Sequence, residues 1–232
     1  MPRTNAHGQP VGDPVGWSGA SPLAPVELRG RFVTLRPLGV DDADAFRAVL
    51  GAHDELWTYS PDEPPHTPED ARALLAALPA PPSALPLAVT DPAGRLLGRV
   101  HLMRADPAMG TVEVGAIVYS PALQRTRAAT EVQLLLADHV FGTLGYRRYE
   151  WKCDSLNAPS RRAALRLGFT EEGTFRQAVV YKGRNRDTTW FSVTDGEWPR
   201  VAAGLRAWLA DDNHDAGGHQ RRSLAEVRAA LP

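Results

Sequence analysis

The stretch Asp154–Gly173, DSLNAPSRRAALRLGFTEEG, decides how the rest of the chain is read. The segment running into it, YEWKCDS (149–155), reads as a strand, and APSRRAALRLG (158–168) reads as a helix. Asn157 and Ser160 therefore stand three apart at a strand-to-helix junction. Ala163 and Ala164 on the helix are small, Gly168 ends it, and Phe169 opens the next strand. Taken singly, each residue has a structural explanation. Asn or Ser at a helix start caps orphan N–H groups, and Gly just past the end supplies a left-handed stop. The combination is more specific than its parts.

Working outward, FVTLRPL (32–38) alternates apolar and polar positions as a half-buried strand does. VDDADAFRAVLGAHDELW (40–57) follows at helical spacing, with Asp41 as the expected N-cap and Asp44 in the first turn. Thr67-Pro68-Glu69-Asp70 predicts a second helix start: Thr caps, Pro takes the first position, and the acids face the positive end of the dipole. LPLAVTDPAGRLLGRVHLM (85–103) reads as two strands around a turn at Asp91–Gly94, and TVEVGAIVY (111–119) as a third. An apolar helix is expected over 129–142. A hairpin around Lys182–Asn185 closes FRQAVVYKGRNRDTTWFSVTD (175–195), and RVAAGLRAWLA (200–210) forms a terminal amphipathic helix. The order β-α-α-β-β-β-α-β-α-β-β predicts an α/β fold with a mixed sheet, too short of βα repeats for a Rossmann or TIM fold.

Residues 1–25 hold five Pro and four Gly, and read as a loosely held arm on which Trp17 alone offers a docking group. The domain proper is expected over 26–198, and 199–232 as a helical extension with a capping box at Ser223 and Glu226. Among 232 residues, 26 Lys+Arg against 27 Asp+Glu give a net charge of −1, so no whole-molecule field favours nucleic acid or an anionic membrane. One cysteine, Cys153, excludes a disulfide framework and a cysteine–zinc cluster and points to a reducing cytoplasm. The histidines lack metal-ligand spacing, so no metal is expected. No apolar run approaches a membrane span, and no signal-peptide core opens the chain.

Asn-x-x-Ser, a helix, then Leu-Gly-Phe-x-x-Glu-Gly resembles the GNAT superfamily of acyl-CoA-dependent N-acetyltransferases, and within it the ribosomal-protein-alanine acetyltransferase branch. The resemblance runs from about Glu27 to Trp198. It includes LRGRFVTLRPLGVDDADAF, VEVGAIVYSP and GTFRQAVVYKGRNRDTTWFSV. It implies a GNAT-like central mixed sheet, splayed beside a bulged strand so that the pantetheine arm of acetyl-CoA lies down as an extra strand would. Val118 and Tyr119 are then the strand residues that meet the arm.

The following loop, Gln124-Arg125-Thr126-Arg127-Ala128-Ala129, matches the family's pyrophosphate loop. Helix-start N–H groups there attract phosphate. Arg127 stands where the family has glycine. Either the backbone closes less well on the pyrophosphate, or Arg125 or Arg127 adds a cation to the phosphates. Two arginines at a positive helix end favour the second reading. That both point into solvent is the third.

By the same resemblance the reaction is direct attack of an amine on the acetyl thioester. A backbone N–H near Val118 polarises the carbonyl. Ser160 is the candidate proton donor to the coenzyme A sulfur, and Asn157 holds pantetheine or orients Ser160. No general base announces itself: Glu113 and His101 are candidates through a water. Ala178, Val179 and Val180 stand where some branch members are thought to place a carboxylate. An α-amine, with an ordinary pKa of roughly 7.7–8.0, needs such a base less.

Trp57, Tyr59, Asp62 and Glu63 line either an acceptor site for a cationic amine or plain surface. Arg186-Asp187 reads as a structural ion pair. The acceptor itself is open: a protein N-terminus or a small amine. A non-catalytic acyl-CoA-binding module on the same fold is the rival reading. Packing of the terminal helix with Leu205 and Trp208 onto a sister subunit, giving a homodimer, stands beside packing within one chain.

Overall fold

ALPLAVT, the strand Ala84–Thr90, is buried at every position. Such a run belongs in the middle of a sheet covered on both faces. The computed structural model describes residues 3–231. In it, β1 (Arg3–Thr4) and β2 (Pro10–Val11) form a small separate hairpin. The main chain path then runs through β3 (Leu28–Arg29), β4 (Thr34–Pro37), α1 (Ala43–Leu50) and α2 (Pro68–Ala76). β5 (Ala84–Thr90), β6 (Leu96–Asp106), β7 (Thr111–Tyr119) and α3 (Arg127–Asp138) follow. β8 (Arg148–Asp154), α4 (Ala158–Leu167), β9 (Thr170–Tyr181), β10 (Arg184–Thr194), α5 (Trp198–Leu209) and α6 (Leu224–Ala229) complete it.

The eight-stranded sheet has the order β3-β4-β5-β6-β7-β8-β10-β9. All neighbours are antiparallel except β7 and β8. Strand alternation sends Leu85, Leu87 and Val89 to one face, where α3, α4, α5 and α6 bury them. Ala88 goes to the other, with Phe46, Leu50, Trp57 and Leu75 around α1 and α2. The fold is the mixed α/β sheet that the pattern predicts.

Several boundaries differ from the sequence reading. The segment 40–57 is not one helix: 3-10 turns at Val40–Asp42 and Asp54–Trp57 flank α1, which stops at Gly51. A Cβ on Gly51 would meet the Pro65 carbonyl oxygen at 2.3 Å, so the chain turns where only glycine fits. The N-cap of α1 is Asp42 rather than Asp41, and its carboxylate is taken by Arg36 in a bidentate pair (2.6 and 3.0 Å). The capping boxes at Thr67–Asp70 and Ser223–Glu226 both form.

The arm is fastened where Trp17 donates to the Gly145 carbonyl (3.1 Å) and lies beside Arg147, and Leu23 enters the main core. Trp198, which opens α5, and Leu205, Trp208, Leu224 and Val227 of the extension belong to that same core, so α5 and α6 pack within the chain.

Candidate active site

β7 and β8 run side by side only from Thr111↔Arg148 to Val114↔Trp151. Beyond that register each strand keeps its outer neighbour and loses its inner one. Gly98↔Tyr119 and Arg99↔Val118 still tie β7 to β6, and Thr188↔Asp154 still ties β8 to β10. The parting coincides with a bulge. Three steps along β7, from Gly115 to Val118, oppose two along β6, from His101 to Arg99, and Ala116 is left at φ 48°. A bulge adds twist to one strand and re-aims its backbone. The result is a cleft of about 1310 Å³, lined on one lip by Gly115, Ala116, Ile117, Val118 and Tyr119, and on the other by Trp151, Lys152, Cys153 and Asp154.

At one end of the cleft the chain leaves Tyr119, turns through residues 120–126 and starts α3. Thr126 is the N-cap: its hydroxyl accepts from the Ala129 N–H (3.1 Å) and donates to the Leu123 carbonyl (2.6 Å). The first N–H groups of α3 have no intrahelical partner and point out of the helix start. Gln124, Arg125, Thr126 and Ala129 line the cleft here. The Gln124 amide donates to the Tyr119 carbonyl (2.8 Å), and Gln133 donates to the Tyr119 hydroxyl (3.0 Å), whose pKa burial raises.

The left-handed residue of this loop is Arg125, at φ 60°, while Arg127 is the first residue of the helix. No glycine is needed at 127. Its guanidinium, however, does not line the cleft. It donates to the Leu209 carbonyl and to Asp211 (3.0 Å) and covers the Phe32 ring at 4.5 Å. The anion that balances it is Asp211, which corrects the expectation of phosphate contact through that side chain. Ala128 packs against the core.

Across the cleft, Asn157 caps α4 by accepting from the Ser160 N–H (3.1 Å). The Ser160 hydroxyl accepts from the Trp151 indole N–H (2.9 Å), which leaves its own proton to give. Cys153 lies next to it; burial raises the thiol's pKa, and the Ser160 hydroxyl works against that rise.

On the opposite face of the sheet the floor is ionic. Glu113, buried, accepts on Oε2 from Arg104 (2.8 Å) and Lys152 (2.9 Å); Lys152 also meets Glu150 (3.1 Å) and sits 3.5 Å over the Trp190 ring. Both cations meet Glu113 through Oε2, which sets that carboxylate in an ionic ladder while it also lines the cleft. His101 is buried outside the cleft lining, and burial, then Arg99, holds its pKa down at about 3. Asp154 accepts from the Leu156 N–H (2.8 Å) and the Tyr181 hydroxyl (2.8 Å), and Tyr181 is pushed up to about 12, by burial first and by Asp154 next.

Tyr59 lines the cleft and donates to the Leu156 carbonyl (3.1 Å). Trp57 does not line it: at 1% exposure it packs with Phe46 and donates to the Leu50 carbonyl, because its ring completes the core under α1. Glu63 lies outside the cleft lining and pairs with Lys182 (3.1 Å). Asp187 accepts from the Gln177 N–H (2.7 Å) and Asn185 rather than pairing with Arg186. Arg99 and Lys152 are among the cleft-lining groups that the sequence reading did not single out. Each sits at an alternating strand position, and nothing but its inward parity marks it.

Among the described residues no group of three His, Cys, Asp or Glu is placed to hold a metal, and no helix is long and apolar enough to cross a membrane. The model of the acetyltransferase (GNAT) domain matches residues 33–170. No curated protein matches the chain. A GCN5-related N-acetyltransferase from Brucella melitensis is 43% identical and superposes with a TM-score of 0.89, over 92% of this chain and 99% of that one. A probable acetyltransferase of the GNAT family from Chromobacterium violaceum ATCC 12472 is 38% identical, with a TM-score of 0.76 over 82% and 99%. Mycobacterium smegmatis RimJ in complex with CoA-disulfide shares the fold at 22% identity and a TM-score of 0.67, over 82% and 93%. The parted strands, the capped helix start and these matches have one conclusion: the chain belongs to the GNAT acetyltransferase family.

Proposed function

We propose that the protein moves the acetyl group of acetyl-CoA to a primary amine, on a protein N-terminus or a small molecule, by direct transfer. The observation that carries this reading is the parting of β7 from β8 after Val114, with a helix start at one end of the gap and Ser160 on its wall. Unpaired strand edges suit an amide-bearing arm, since each can hydrogen-bond it as a neighbouring strand would. The free N–H groups at Thr126–Ala128 suit a diphosphate, and Arg125 adds charge beside them. The RimJ structure with CoA-disulfide supports the same occupant.

The chemistry assigned to this chain's residues is modest. The backbone near Val118 positions and polarises the thioester carbonyl. The amine nitrogen attacks that carbon and the carbon–sulfur bond breaks; the nitrogen releases one proton to solvent, the sulfur takes one from the Ser160 hydroxyl, and solvent returns a proton to Ser160. The Trp151 N–H fixes that hydroxyl so that it donates. Asn157 acts through the helix, by capping the turn that carries Ser160.

The test is calorimetry with coenzyme A, followed by thiol release from acetyl-CoA over a panel that includes alanyl-alanyl-alanine amide and n-butylamine. Binding together with amine-dependent thiol release is the expected result. Binding without turnover on any amine would leave a non-catalytic acyl-CoA-binding module, and no binding would overturn the reading altogether.

A further inference from the structure

We propose that Asp62, fixed by the buried Arg99, is the group that receives and orients the N–H of the acceptor amine. The inference rests on the acetyl-transfer reading above and adds a residue to its acceptor side.

Arg99 on β6 is 1% exposed, and its single hydrogen-bonded partner among the described residues is the Asp62 carboxylate. Its guanidinium lies 5.1 Å from the Trp57 ring centre and 5.8 Å from that of Phe46. Burying a guanidinium costs several kcal/mol, and an apolar residue of similar volume serves stability as well or better. What the arrangement supplies instead is a carboxylate held at a fixed angle.

Asp62 is not itself buried: its side chain is 40% exposed, it lines the cleft, and only Oδ2 is engaged, so Oδ1 is free of partners among the described residues. The register Arg99↔Val118 sets this carboxylate at the height of the parted segment. Arg99 lies with Phe46 and Trp57 on the α1–α2 face, whereas Ser160 belongs to α4 on the other. A thioester threaded through the gap then has its proton donor on one side and Asp62 on the other, the side from which an amine must approach.

The loop bearing Asp62 is also anchored. Lys182 donates to the Trp57 carbonyl (3.0 Å), Arg184 to the Thr58 carbonyl (2.8 Å), and Tyr59 to the Leu156 carbonyl (3.1 Å). Of the other cleft-lining carboxylates, Asp154 has both oxygens engaged, by Tyr181 and the Leu156 N–H, and Glu113 meets two cations, Arg104 and Lys152, through Oε2, against the one that Asp62 meets.

The pairing has a chemical consequence. A lone carboxylate would stabilise the ammonium form of the acceptor, which cannot attack. A carboxylate offset by a guanidinium accepts the N–H hydrogen bond without that penalty. The acceptor class is thus a primary amine bound neutral, with Tyr59 beside it.

The experiment measures acceptor and acetyl-CoA kinetics separately, on whichever amines of the panel the wild type acetylates. Asp62→Ala should lose at least tenfold in kcat/KM for the amine while the KM for acetyl-CoA stays within about threefold, and Asp62→Glu should recover part of the loss. Should Asp62→Ala fold poorly, Asp62→Asn keeps the shape and the Arg99 contact and carries the same expectation. An unchanged amine kcat/KM, or equal losses toward amine and acetyl-CoA, overturns this inference alone. A wild type that acetylates no amine at all overturns it together with the acetyl-transfer reading.

Discussion

At the scale of single residues, the two arginines of the α3 loop divide their labour. Arg125 lines the cleft in a left-handed conformation, and Arg127 turns back to cap the end of α5 through the Leu209 carbonyl and Asp211. Arg127→Ala should therefore cost about 1 kcal/mol of stability, the scale of a lost hydrogen bond. Any loss of coenzyme A affinity should match that for an analogue lacking the pyrophosphate, measured by calorimetry; a loss confined to coenzyme A would restore a phosphate contact. Ser160→Ala should lower turnover about tenfold or more, in line with removal of a positioned proton donor, with a smaller change in coenzyme A affinity. An unchanged rate would remove Ser160 from the chemistry. The cap that Asn157 makes at the Ser160 N–H was legible in the sequence because its spacing is local. The sequence could not reveal where the Arg127 guanidinium goes, because its partners Leu209 and Asp211 lie some eighty positions away along the chain.

Among elements, α4 is the one whose ends matter most. Asn157 sets its start, and Gly168 ends it at φ 104°. A Cβ there would stand 2.8 Å from the Arg228 guanidinium and 2.9 Å from a Val201 methyl carbon, and the second neighbour cannot swing away as the first can. Gly168→Ala should destabilise the protein by about 1–2 kcal/mol, read as a lower thermal midpoint, with Ser160 still able to react in the folded fraction. Element existence was well marked by period and caps, as in α2 with its Thr67 box. Boundaries were not: the break after α1 is set by Gly51 approaching the Pro65 carbonyl, a contact no local window contains.

For the whole molecule, the distribution of buried charge sets the response to acid. His101 is held neutral down to about pH 3, by burial and then by Arg99. The unfolded chain takes up that proton near pH 6.5, so its contribution is fully present above that value and is lost as pH falls toward 3. The thermal midpoint should drop between pH 6.5 and 4.5 in the wild type and drop less in His101→Leu; parallel curves would contradict this. The fold class was readable from the order of strands and helices, and the depth of the cleft was not, because it depends on where one parallel ladder stops.

That stopping point has a mechanical side. Four register pairs, Thr111↔Arg148 to Val114↔Trp151, are the strand ladder between the half-sheet that starts with β3 and the half-sheet that ends with β9. An occupant hydrogen-bonded to both lips would stitch that seam shut, so part of its binding energy would return as cohesion of the entire molecule.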